Sequence, residues 1–296
     1  MPALLPRVWP IVPVLFVLLS PPLWSEEAMF KLHQRSQVKT NSGEFKTLER
    51  EIKWDPKTTA VIVIDMWDDH WCKSAAARVT ELAPAMNKVI KVARDRGAFV
   101  IHAPSTCTKF YDDTVQRKRA IEAKFAPPPR PFTDQDRWGT KWNYPDSSRE
   151  GELPIDDSDM GCDCAEKCDI REAWTRQNGL IDIGKDDAIT DNGQETWNLL
   201  AEREIENVLV MGVHLNMCVL GRPFAIRQLV YHDKNVVLVR DLTDTMYDPR
   251  MPPKVNHFAG TDRVIGHVEK FWCPTILSSD ISGQAAFVFK ADPRRK

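Results

Sequence analysis

Five short apolar runs punctuate an otherwise mixed chain. They are AVIVI from Ala60 to Ile64, AFVIHA from Ala98 to Ala103, LIDI at 180–183, NVLVMGV at 207–213 and NVVLV at 235–239. Runs that are apolar at consecutive positions suit strands covered on both faces, as in a central parallel sheet. Between them the spacing turns helical. Met86, Val89, Ile90 and Ala93 predict a helix from Pro84 to Arg96, with Pro84 in its first turn and Gly97 at its end. A charged helix is expected over 112–125. Asn192 caps a helix running from about Gly193 to Arg203, another helix follows Cys218, and less defined elements fill 257–288. Strands alternating with helices predict a doubly wound α/β sheet without internal repeats.

Three stretches break this rhythm. Residues 1–25 carry one early positive charge, then the uncharged run VWPIVPVLFVLLSPPLW, then the abruptly polar SEEAMFK. That layout predicts a secretory signal cleaved after Ser25 and a periplasmic or secreted protein. An uncleaved anchor is the alternative, and Pro10, Pro13, Pro21 and Pro22 argue against a stable spanning helix. Residues 26–57 read as a polar N-terminal extension lying over the domain that occupies 58–290. Within that domain 126–178, from APPPRPF to GCDCAEKC and beyond, read as a long insertion.

Composition narrows the class. The chain has 296 residues, 43% apolar and 28% charged, so a normal core is available, and the net charge of -2 gives no basic bias toward nucleic acid. No later segment reaches the roughly 18 apolar residues of a membrane span. The seven cysteines are an odd number, which in an oxidising compartment leaves at least one thiol unpaired within the chain.

In open α/β sheets ligands bind beyond the C-terminal ends of the strands. Asp65 ends the first apolar run, Lys185 follows LIDI, and Cys218 follows NVLVMGV. If those strands are neighbours, a carboxylate, an ammonium and a thiol meet in one crevice. A cation favours thiolate, a carboxylate can take the thiol proton and return it to a leaving amine, and backbone N–H groups can receive an oxyanion. Each residue also has an ordinary reading: Cys218 as packing, Asp65 as a turn residue, Lys185 as a solvated lysine.

Three segments, in order, resemble the isochorismatase-like cysteine hydrolases: VIVIDMWDDHWC, GKDDAI and MGVHLNMCVLGRPFAIRQL. The resemblance covers 58–104 and 179–245. It implies a Rossmann-like three-layer sandwich with a mostly parallel sheet, often oligomeric. It also implies an amide or related C–N hydrolase using Asp65 as base, Lys185 as cation and Cys218 as nucleophile. A cis peptide at Val213–His214 and an oxyanion site at the His214 and Cys218 N–H groups follow from it as well. Trp67, His70, Trp71 and Trp174 are candidate walls of a small-molecule pocket. The Asp-x-His metal motif of some relatives is replaced by HAPSTC, so no catalytic metal and no cofactor is expected. A vinyl ether hydrolase and a non-catalytic binding relative are the rival readings. Pro223 should interrupt the helix after Cys218. Cys162, Cys164 and Cys168 are one short of the four ligands of a zinc site, so disulfides among the six non-catalytic cysteines are the expectation for an exported chain.

Overall fold

The computed structural model describes residues 29–130 and 142–294. The expected signal segment and part of the expected insertion lie outside the described residues. Among the described residues no helix is long and apolar enough to cross a membrane.

The described residues open with a hairpin, β1 (Phe30–Lys39) and β2 (Phe45–Trp54), paired from Phe30 opposite Trp54 to Lys39 opposite Phe45. It continues through β3 (Thr59–Ile64), α1 (Lys73–Asp95), β4 (Phe99–Ala103) and α2 (Val115–Glu122). After the insertion come β5 (Ala188–Ile189), α3 (Gly193–Glu202), β6 (Asn207–Val213), α4 (Cys218–Gly221) and α5 (Ile226–Tyr231). The chain ends with β7 (Asn235–Asp244), α6 (His257–Phe271), β8 (Thr275–Ile276) and α7 (Ser279–Ser282). The eight strands form one sheet in the order β2-β1-β8-β7-β6-β3-β4-β5. Strands β3 to β8 run parallel to one another, and β1 joins β8 antiparallel.

The two-faced burial predicted for the apolar runs is explicit in β3. Ala60, Ile62 and Ile64 pack into one core with α3, α5 and α6, while Val61 and Val63 pack into a second core with α1. The Asn192 side chain caps α3 by accepting from the N–H groups of Gln194 and Glu195.

Several expectations are corrected. The N-terminal extension does not lie over the domain; it adds two strands to the sheet, with Phe30, Leu32 and Trp54 buried in the second core. Helix α1 starts eleven residues earlier than the spacing predicted and carries Pro84 in its interior. The apolar stripe of Ala75, Val79, Leu82 and Ala83 runs straight on into Met86, so one buried face spans the proline and offsets the hydrogen bond it removes. LIDI is not a strand. The Ile181 N–H closes a turn onto the Asn178 carbonyl, and the third parallel strand is the two-residue β5 further on. The charged helix is shorter than expected, because a 3-10 turn at Thr108–Tyr111 precedes α2. As Pro223 foretold, the helix after Cys218 breaks into α4 and α5. All seven cysteines are free, so the expected disulfides are not formed here.

Candidate active site

Strands β3 and β6 are direct neighbours, paired from Thr59 opposite Asn207 to Ile64 opposite Gly212. Their C-terminal ends therefore deliver Asp65 and the 214–218 segment to the same spot. Their close approach depends on Gly212, whose φ is +125° and where a Cβ would sit 2.0 Å from the Ile64 carbonyl oxygen. Asp65 itself adopts φ 49°, a left-handed conformation that aspartate tolerates better than most residues. The turn carries its carboxylate back over the end of the sheet, where the Ser105 N–H donates to Oδ1 at 2.8 Å. The Val213–His214 peptide is cis.

Cys218 opens α4, so its N–H belongs to the helix end that has no intrahelical acceptor. Its thiol is buried and lies close enough to Asp65 and Arg222 to feel both charges. The Arg222 Nε lies 3.5 Å from Asp65 Oδ2. Burial raises the Asp65 carboxyl above its ordinary range, opposed by Arg222 and by the bonds from Cys218 and Ser105. Burial also pushes the Cys218 thiol far up, and the Asp65 charge adds to this while Arg222 works against it. Burial thus favours the neutral forms of both groups, and the guanidinium works against it.

The expected cation is not at the crevice. Lys185 is exposed and lies three residues before β5. Because β5 runs parallel to β4, with Ala188 opposite Ile101, that position is at the N-terminal end of the strands. Neighbouring Gly184 packs on the side chain of Arg94, at the end of α1 that feeds β4. Lys185 is thus at the opposite edge of the sheet from Cys218, and Arg222 occupies the place assigned to it. The signal for Arg222 was its position four residues after Cys218, an arginine in an apolar segment just before Pro223. Ser105 and Trp142 were also missed. Trp142 comes from the insertion, lies 2.6 Å from where a Cβ on Gly221 would be, and has its ring 5.5 Å from the Arg222 guanidinium.

The candidate walls do come together. Trp67 and Trp174 stack at 4.0 Å, and His70 lies 5.5 Å from Trp174 and 5.1 Å from His214. Trp67 Nε1 donates to the Ser105 carbonyl and Trp174 Nε1 to the Thr106 hydroxyl. Trp71 lies 5.2 Å from the His70 ring and belongs to a small buried cluster with Cys72, Cys162 and Met246, against which Trp174 also packs. His70 Nδ1 accepts from the Cys72 N–H at 3.1 Å, which leaves the other ring nitrogen protonated. Burial holds His70 down at about 4 and His214 well below the usual histidine range, so both rings are neutral near pH 7. Asp65 Oδ2, His214 Nε2, Ser105 Oγ and Arg222 Nε are buried without a hydrogen-bond partner among the described residues. A site with several such groups suits a small polar molecule.

No protein-family description matches this sequence, and no curated protein does. Among solved structures, a cysteine hydrolase from Pseudomonas syringae pv. phaseolicola 1448A is 16% identical, with 78% of this chain and 93% of that one covered and a TM-score of 0.45. An isochorismatase family protein from Burkholderia thailandensis is 12% identical, with 78% and 96% covered and a TM-score of 0.43. An N-carbamoylsarcosine amidase from Thermoplasma acidophilum is 10% identical, with 62% and 83% covered and a TM-score of 0.34. None of these likenesses carries the functional reading, which rests on the side chains at the site.

Proposed function

We propose that this chain is an isochorismatase-like cysteine hydrolase that cleaves an amide or related C–N bond of a small molecule. The observation that carries the reading is the contact of Cys218 with Asp65 and Arg222 at the C-terminal ends of two adjacent parallel strands. A thiol placed merely for packing would not need a buried carboxylate and a guanidinium against it.

In this reading Asp65 takes the Cys218 proton as sulfur attacks the carbonyl carbon. The oxyanion that forms is received by the backbone N–H of Cys218. Protonated Asp65 then hands its proton to the leaving nitrogen, the C–N bond breaks, and a thioester remains on Cys218. Water enters, Asp65 removes its proton, and collapse of the second tetrahedral species releases the acid and restores the thiol. Arg222 balances the charge that shuttles between carboxylate and sulfur. The Trp67–Trp174 stack walls the crevice from the insertion side.

The test is a panel of small amides, ureides and carbamoyl compounds assayed for release of ammonia or amine. Wild-type protein should turn over at least one of them, and Cys218→Ala should lose that turnover while retaining its thermal unfolding transition. An alanine variant that keeps the wild-type rate would sink the covalent mechanism.

A further inference from the structure

We propose that Cys72, Cys162, Cys164 and Cys168 form a tetrathiolate site for one zinc ion. In sequence the 162–168 segment supplies three thiols; the fold supplies the fourth from about ninety residues earlier, at the N-cap of α1. The sulfurs of Cys72, Cys162 and Cys164 lie within 4.8 Å of one another. Cys168 lies outside that group of three, beside Cys162 and Cys164, and would close in as the fourth ligand. Cys72 Sγ and Cys164 Sγ are 3.8 Å apart. Four sulfurs placed tetrahedrally about 2.3 Å from zinc are separated by roughly 3.8 Å along each edge. Thiolates are also the donors that select zinc over hard cations.

The surroundings are those of a built site. The N–H of Ser74 donates to Cys164 Sγ at 3.3 Å, and the Ser74 hydroxyl lies 3.0 Å from the same sulfur. Amide and hydroxyl donors aimed at sulfur are the partners that thiolate ligands need once they are deprotonated. The loop is fixed from its other side as well. Arg250 donates to the carbonyls of Cys162 and Cys164 at 3.2 and 3.1 Å. Arg78 holds Asp163 at 2.7 Å while reaching Asp244 at 2.6 Å. Gly161, at φ 67°, passes so close to Met246 that a Cβ would lie 2.3 Å from its carbonyl oxygen.

Binding is balanced as Zn²⁺ plus four thiols giving one zinc tetrathiolate and four released protons, so the site weakens as pH falls. With Cys218 as nucleophile, four ligands account for five of the seven cysteines. The remaining two, Cys107 and Cys273, are buried apart from the cluster. The metal would tie the insertion to the start of α1, directly after the loop that carries Trp67, His70 and Trp71. Its place is therefore beside the wall of the crevice rather than in the reaction.

The full chain, purified with zinc in the medium and dialysed, should contain about one zinc per chain by mass spectrometry of the metals. A mercurial that displaces thiolates should release that zinc to a colorimetric chelator. Replacement by cobalt should give the near-ultraviolet charge-transfer band of tetrahedral thiolate–cobalt, weakened in Cys164→Ser and Cys168→Ser. Wild-type protein that takes up neither metal, or non-reducing peptide maps that show these four cysteines paired with one another, would overturn the proposal. The readout is metal content, so it stands or falls independently of any substrate.

Discussion

Replacing Arg222 by methionine tests which cation serves the thiol. Arg222 contacts both Cys218 and Asp65, at 3.5 Å from the carboxylate, and its side chain is 21% exposed. Two unit charges at roughly 4 Å and an effective dielectric constant of about 20 interact by about 4 kcal/mol, which corresponds to about three pH units at 1.4 kcal/mol each. Partial solvent access reduces this, so loss of the guanidinium should raise the thiol pKa by about one to two units. Since Arg222 lowers the Cys218 thiol and burial already holds it high, the shift is upward and the thiolate fraction at fixed pH falls. The rate of Cys218 alkylation by iodoacetamide, followed by peptide mass spectrometry between pH 7 and 10, should drop by about 10- to 100-fold. Lys185→Met, at the far edge of the sheet, should leave that rate unchanged. A slowed Lys185→Met beside an unaffected Arg222→Met would refute the assignment.

Three further outcomes follow from particular contacts. Asp65→Asn removes the charge that helps hold the Cys218 thiol up, so alkylation of Cys218 should become faster while hydrolysis of a true substrate stops; slower alkylation would show that the carboxylate does not act on the thiol. Gly212→Ala puts a Cβ 2.0 Å from the Ile64 carbonyl oxygen at φ +125° and should destabilise the protein by about 3 kcal/mol or more in urea unfolding; a change under about 1 kcal/mol would mean that β3 and β6 are not packed this closely. Burial alone would raise the Glu150 carboxyl, but bonds from His267, Arg227 and Trp272 hold it at about 2. Its folded pKa is below the unfolded one, so its stabilisation of about 3 kcal/mol is present above roughly pH 4.5 and is lost as pH falls toward 2. The stability gap between wild type and Glu150→Gln should close over that window, and a gap that stays constant with pH would remove Glu150 from this role.

The amino-acid sequence by itself determined the parts that depend on short-range pattern. Runs such as AVIVI and VLVMGV carry no polar side chain, and such runs find full burial inside a parallel sheet covered on both faces. A residue just past such a strand falls at its C-terminal edge, which is why Asp65 and Cys218 could be placed at one edge of the sheet from the sequence. The Asn192 cap and the break at Pro223 were legible for the same reason, since the backbone chemistry involved is local. Lys185 was misplaced because its role depended on LIDI being a strand, and four residues, one of them charged, do not fix that. The pairing that puts β5 beside β4, and so leaves Lys185 at the wrong edge, is a long-range choice. The edge hairpin was read as an extension because β2 is exposed along most of its length and carries little pattern. Cys72 joins the 162–168 cysteines only because α1 begins where the insertion returns. Arg222 acquires its meaning only once β3 and β6 lie side by side. Those relations are set by which buried surfaces pack together across the whole chain, and no window of neighbouring residues contains them.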